Sequence, residues 1–201
     1  MIAMGLLVAI LTFSQVAVGQ IGFGLYTTDD IQLTKNQDLD FGTIEQGAQD
    51  LIMIALQDNE VVAIEIDAIA YMDITVTITP PTNNYIVFMG DENNLADPSK
   101  RLAVDIQMAY YNRGPNEVTI THAQQNAIPL SGEMISFQVM LRPGGPPGPP
   151  PTPPSGNYTP PRAKAYLFIY GSLTPGDVLA GPYSGIIDVH VEYTTTYEPN
   201  N

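Results

Sequence analysis

The sequence GPYSGIIDVHVEY, residues 181–193, carries apolar side chains at every second position after its second glycine. The apolar positions are Ile187, Val189, Val191 and Tyr193. The polar positions between them are Asp188, His190 and Glu192. This period of two predicts a half-buried β-strand with its polar side chains toward solvent. Gly181 and Gly185 predict a turn before the strand, because glycine adopts backbone angles that other residues avoid.

The same alternation recurs through most of the chain. LDFGTI at residues 39–44, followed by Gly47, is a second apolar strand beside a glycine, and Tyr166 to Tyr170 is an uninterrupted apolar run typical of a central strand. Val118 and Ile120 suggest a short strand, and at most one helical turn is expected, within residues 123–127. About ten short strands separated by Gly, Pro, Asn and Asp predict an all-β protein. We expect an immunoglobulin-like antiparallel β-sandwich over residues 35–197.

Composition limits the classes of partner. The 201 residues are 44% hydrophobic, enough for one domain with its own core, and 21 acidic residues against 7 basic ones give a net charge of −14. Nucleic acid and anionic membrane surfaces are disfavoured, because both require a basic patch. With no cysteine in the chain, disulfides and thiolate metal sites are excluded.

Residues 1–28 contain no charged side chain. An apolar run to Phe13, followed by small residues, is typical of a secretory signal peptide over residues 1–19, cleaved near Gly19 or Gln20. The basic residue that usually opens such a signal is missing. The alternative is a retained hydrophobic segment, as in type IV pilins. Either interpretation predicts an extracellular or cell-surface protein, and signal cleavage would leave no stable membrane span.

Residues 142–162, RPGGPPGPPPTPPSGNYTPPR, hold ten of the 18 prolines. Such a segment favours polyproline II and cannot join a hydrogen-bonded ladder. It predicts a long surface loop between two strands, either merely variable or rigid enough to pack on a neighbouring subunit or to carry sugars. Asn157 begins an Asn-Tyr-Thr glycosylation sequon.

Residues 20–34 form a candidate donor arm. Ile21, Phe23 and Leu25 alternate with small or polar residues, so one face of the arm is apolar. Such a strand can add to the sheet of another subunit, burying its side chains beside Ile187, Val189, Val191 and Tyr193. Pairing within its own domain is the alternative.

The chain resembles a known family in three places. Residues 31–44 with Gly47, residues 68–80, and the end comprising Gly171-Ser172-Leu173 and residues 181–193 are similar to domain-of-unknown-function family 4402. Its members are secreted proteins similar to spore coat protein U and, more distantly, to chaperone–usher pilins. The resemblance implies an immunoglobulin-like sandwich with a surface role. Relatives of the family imply polymerisation by donor-strand exchange.

The sequence contains few candidates for catalytic or metal-binding residues. His190, Asp188 and Glu192 share one strand face and could hold a metal ion, although a solvated polar face is the simpler interpretation. Ser184 lacks the glycine spacing of a nucleophile elbow, and the acidic clusters lack calcium-loop spacing. We therefore expect no catalytic residue, no metal site and no cofactor.

These patterns predict a non-enzymatic structural subunit of an extracellular filament or pilus. Its partners would be copies of itself, joined by donor-strand exchange, together with a surface or secretion apparatus. One alternative is a monomeric surface or coat module binding carbohydrate or a cation. Another is a type IV pilin-like subunit with a retained hydrophobic helix.

Overall fold

The computed structural model describes residues 16–27, 30–45, 47, 50–113, 118–141 and 160–194, and within them the chain is all-β. The first six strands are β1 Val16–Thr27, β2 Gln32–Lys35, β3 Leu39–Glu45, β4 Ile52–Ile54, β5 Val62–Ile69 and β6 Asp73–Thr79. The others are β7 Tyr85–Phe88, β8 Arg101–Tyr111, β9 Ile128–Leu130, β10 Met134–Gln138, β11 Arg162–Thr174 and β12 Gly181–Tyr193, with helix α1 Ile120–Gln125 before β9. The all-β prediction is confirmed, with twelve described strands where about ten were expected.

The strands form one curled sheet with the order β10-β6-β12-β7-β8-β11-β5-β2. Strand β7 links the two halves of the sheet, because it pairs with β12 and with β8. Strands β4 and β9 pair with β11 and β8, and β3 pairs with β1. The apolar run Tyr166–Tyr170 lies in β11 between β8 and β5, which confirms its predicted central position.

The curl of the sheet brings its inner faces together around one core. Alternate residues of β6, β5, β11 and β12 point into it, as the period-two patterns predicted. Ile74, Ile64, Leu167 and Val189 are all fully buried there. The immunoglobulin-like sandwich itself stays a prediction.

A second apolar cluster lies on the opposite face, under α1. It joins Tyr166 and Phe168 of β11 to Ala123 of the helix. The predicted short strand at Val118 and Ile120 is wrong, since Ile120 begins α1. The reason is local: the Thr119 side chain accepts a hydrogen bond from the His122 N–H and caps the helix.

The segment Gly181–Gly185, predicted as a turn, is instead the first part of β12. Its glycines are required by packing. A Cβ on Gly181 would lie 2.6 Å from a ring carbon of Phe88, and one on Gly185 would lie 3.0 Å from Ile86 Cγ2. Gly181 has a φ of +140°, whereas Gly185 lies outside the positive-φ region.

One pairing differs from the antiparallel arrangement that was predicted. Strands β1 and β12 run parallel, over eleven residue pairs from Ala17–Gly181 to Thr27–Val191. The two strands lie at opposite ends of the described sequence, so no hairpin forces them to be antiparallel. Most of the predicted proline-rich loop, residues 142–159, lies outside the described residues.

Candidate subunit-interface site

Strand β1 is an interior strand of its half of the sheet although it is the first described strand. One of its edges pairs with β12 in parallel, and the other pairs with β3 in antiparallel orientation. Strands β3 and β12 therefore have β1 between them as their common partner. Removal of β1 would expose the backbone N–H and C=O groups on one edge of each neighbour.

The structure brings the predicted interface residues together. Ile21 is opposite Gly185, Phe23 is opposite Ile187, and Leu25 is opposite Val189. The fully buried members of the set are Ile21, Ile187, Val189 and Val191. Phe23, Leu25 and Tyr193 are partly buried against the same core. Within the single chain, the arm thus occupies a seat formed by its own domain, and we call the space between β3 and β12 the arm seat.

The predicted arm, residues 20–34, divides into two strands with different neighbours. Its first part lies in β1, whereas its end forms β2 on the edge of β5. Strand β1 also begins earlier than the arm, at Val16. Ala17 is buried, and a Cβ on Gly19 would lie 3.0 Å from Leu173 Cδ1, so the residues just before the predicted cleavage point contribute to packing.

A charged latch holds the base of the arm. Arg162 Nη1 donates to Asp30 Oδ2 at 2.7 Å, and its Nε donates to Asp67 Oδ1 at 2.7 Å. The Tyr193 hydroxyl donates to Asp30 Oδ1 at 3.0 Å and accepts from the Ile69 N–H at 2.9 Å. These bonds tie Asp30, just beyond β1, to β5, β11 and β12. The bonds to Asp67 and Asp30 raise the pKa of Arg162, with the Asp67 side-chain bond as the main cause.

The Tyr193 hydroxyl gives an alkaline limit to stability. Burial raises the pKa of Tyr193 above its ordinary value of 10.0. Below the pKa of the unfolded chain both states are protonated, so the contribution is complete there. It is lost as the pH rises through the higher folded pKa, because the unfolded tyrosine ionises first. We expect the free energy of unfolding to fall above about pH 10.

Urea unfolding measured across that range checks this expectation. Tyr193→Phe removes the ionisable hydroxyl and should make the alkaline decline shallower. The decline should persist in part, because burial also raises the pKa of Tyr166 and Tyr183. An alkaline slope equal to that of the parent protein would contradict the role given to Tyr193.

The other residues singled out from the sequence are dispersed. His190 Nε2 lies 3.7 Å from Glu192 Oε2 on an exposed strand face. Among the described residues, no group of three or more His, Asp or Glu side chains is arranged to hold a metal ion. Ser184 lies within β12, opposite Gln20 of β1. Asn157 lies outside the described residues.

Sequence reasoning missed two parts of this site. It did not identify β3 as the second neighbour of β1, although it recognised β3 as a strand. It also missed the latch, whose Asp30–Arg162 pair joins residues 132 positions apart. The one local signal for the latch was an arginine four residues before the apolar run of β11.

The comparisons with known proteins leave the family resemblance untested. No protein-family model matches the chain. A search of curated proteins finds no match either. Among the residues that the structure describes, no helix has both the length and the apolar character needed to span a bilayer.

Proposed function

We propose that the protein is a structural, non-enzymatic subunit of an extracellular filament, in which β1 of one copy occupies the arm seat of the next. The observation that carries this proposal is the position of β1. A strand near the start of the chain occupies an interior position of a half-sheet, and all its ladder hydrogen bonds go to two strands located later in the chain. A neighbour's arm can make the same bonds in the same register.

The bonds of the latch define which part of the chain can be exchanged, because they hold Asp30 but not β1. Asp30 stays fixed to Arg162 and Tyr193, while Thr27 is the last residue of β1. Separation of β1 from its two neighbours would break none of the Asp30 bonds and would leave β2 in place on β5. Since the arm is the element exchanged, each subunit would give one strand and receive one strand, which extends the assembly without creating unpaired edges.

A cysteine cross-link distinguishes exchange from self-pairing. The chain has no cysteine, so Gln20→Cys with Ser184→Cys introduces a single pair at directly opposite positions of β1 and β12. Paired strands lie about 4.8 Å apart, within the Cα range that a disulfide spans. We expect oxidised assemblies to give a ladder of covalent multimers on a non-reducing denaturing gel.

The matched control links two strands that exchange would leave within one subunit. Thr75 and Ser136 are opposite each other in β6 and β10, with their hydroxyls 2.9 Å apart. Thr75→Cys with Ser136→Cys should give linked monomers under all conditions. If the Gln20–Ser184 pair also gives only internally linked monomers, strand exchange is refuted.

The self-paired arm gives a specific reason to keep one alternative. A chain that fills its own arm seat can exist as a monomeric surface or coat module. That function requires internally linked monomers in the experiment above. The third possibility, a type IV pilin-like subunit, depends on residues 1–15, which lie outside the described residues, and N-terminal sequencing of the mature protein would test it.

A further inference from the structure

A groove of about 820 Å³ lies on the outer face of the β1–β12 pair. The two paired strands form its floor through Gln20, Gly22, Gly24 and Tyr26 of β1 and Ser184, Ile186 and Asp188 of β12. Pro80, Pro81, Tyr85 and Glu92 line it from the side of β6 and β7. We call this space the outer groove. It exists whether the arm comes from the same chain or from a neighbour, so its capacity to bind a ligand does not depend on the proposed exchange.

The outer groove combines aromatic side chains with bare backbone. Tyr26 is 53% exposed, and its ring lies beside Gly24, where an added Cβ would be 2.8 Å from Tyr26 Cε2. The Tyr85 ring is oriented by the Arg101 guanidinium, which stacks 4.5 Å from its centroid. Hydroxyl and amide groups of Tyr26, Ser184 and Gln20 provide hydrogen-bond donors along the same surface.

The outer groove is also acidic. Three carboxylates line it, from Asp38, Glu92 and Asp188, against one cationic side chain, Lys35. Lys35 is paired with Asp38. Within the described part of the chain, Glu92 and Asp188 make no ion pair. A ligand that brings a positive charge would therefore find two carboxylates available to it.

We propose that the outer groove binds the proline-rich segment, residues 142–159, of a neighbouring copy. Polyproline II segments are recognised by grooves lined with aromatic rings. Their backbone carbonyls have no internal partner and accept hydrogen bonds from such a surface. The segment carries Arg142 and no acidic residue, in a chain whose net charge is −14. Arg142 would pair with Asp188 on the floor of the groove, while prolines pack on Tyr26 and Tyr85.

Geometry favours a neighbour's segment over the chain's own. The Leu141 N–H donates to Asn112 O, and the Ala70 N–H donates to Pro161 O, so both ends are held near the start of β6. The outer groove lies at the other end of β6, seven residues or about 20 Å away. The 18 residues 142–159, split into an outgoing and a returning limb, reach about 28 Å. That leaves too little length for a straight run along the groove.

The test uses a fluorescent synthetic peptide of residues 142–160 and the full-length protein. We expect saturable binding, weaker at high salt, measured by fluorescence polarisation. Tyr26→Ala and Asp188→Asn should each weaken binding about tenfold, a loss of about 1.4 kcal/mol. Met53→Ala and Glu60→Gln change exposed residues away from the groove and should leave the affinity unchanged. Thermal unfolding of each variant confirms that it folds.

Peptide variants separate the contribution of the Arg142 charge from that of the prolines. Arg142→Ala in the peptide should weaken binding to the parent protein but not to Asp188→Asn. Replacing the prolines by alanine at constant charge should abolish binding. The proposal is overturned if the peptide does not bind at about 1 mM, or if all four protein variants bind it equally. Binding of cellohexaose at Tyr26 without peptide binding would also overturn it and assign the groove to carbohydrate.

Discussion

A protein that lacks residues 1–27 is expected to fail to fold as a stable monomer and to aggregate. The deletion removes β1 and leaves one edge of β3 and one of β12 unpaired. It also withdraws Ile21, Phe23 and Leu25 from the core. At about 1.5–3 kcal/mol for a fully buried large apolar side chain, the buried Ile21 and the half-buried Phe23 and Leu25 together contribute about 3–6 kcal/mol gross. Whole domains have a net stability of about 5–15 kcal/mol, so this loss and the two unpaired strand edges together are sufficient to unfold the chain.

Addition of the arm as a separate peptide should reverse the defect. A synthetic peptide of residues 16–27, present while the truncated protein refolds, supplies both ladders and the apolar face. The recovered β-sheet signal in circular dichroism and the loss of aggregation measure its effect. The same peptide with Ile21→Asp is the matched control, because it places a charge at a fully buried position and should not restore folding.

A truncated protein that remains monomeric and unfolds cooperatively near the parent temperature would contradict this account. It would mean that β3 and β12 close on each other without β1. The arm would then be an attachment to a complete domain. This result would also remove the energetic basis for exchange, since an empty arm seat would carry little cost.

The alternation of apolar and polar residues predicted most of the strands, because a half-buried strand places every second side chain in the core. Ile74, Val76 and Ile78 alternate with threonines, and β6 places all three in the core. The position of β11 followed from its apolar run. Residues 181–185 were misassigned for the opposite reason. Their glycines pack against Phe88 and Ile86 of β7. Residues 181–185 themselves carry no pattern that indicates this distant contact.

The sequence pattern of β1 did not predict which strands pair with it. The alternation of Ile21, Phe23 and Leu25 gives an apolar face but does not specify which strand lies beside it, or in which direction. The parallel alignment with β12 and the antiparallel one with β3 depend on how the whole sheet curls. The outer groove has the same origin. Gly22 and Gly24 were visible as small residues, whereas Tyr85 and Glu92 join them only through the fold.

Gly171→Ala is expected to cause the largest loss of stability of any single glycine-to-alanine substitution in the described chain. Gly171 lies in β11, where the neighbouring strand changes from β5 to β4. Its φ is +156°, and an added Cβ would lie 2.1 Å from the carbonyl oxygen of Asp105 in β8. That oxygen belongs to a paired central backbone, so it cannot move aside without breaking the β8–β11 ladder.

Two costs combine at this position. An unfavourable backbone conformation costs about 1–3 kcal/mol, and forcing an extra carbon into a packed interior costs about 1–3 kcal/mol more. We expect a loss of about 2–6 kcal/mol in the free energy of unfolding, measured by urea titration. The expected midpoint falls far enough for the variant to be partly unfolded at physiological temperature.

Gly176→Ala is the matched control, since its nearest contact would be Val178 Cγ1 at 4.0 Å and its φ is not in the positive region. There the methyl group meets no obstacle and restricts the unfolded chain, so stability should stay level or rise by up to about 1 kcal/mol. Equal stabilities for the two variants would show that β8 and β11 can separate at Gly171. The core contacts of Leu173, two residues further along β11, would then be less tightly fixed than its complete burial indicates.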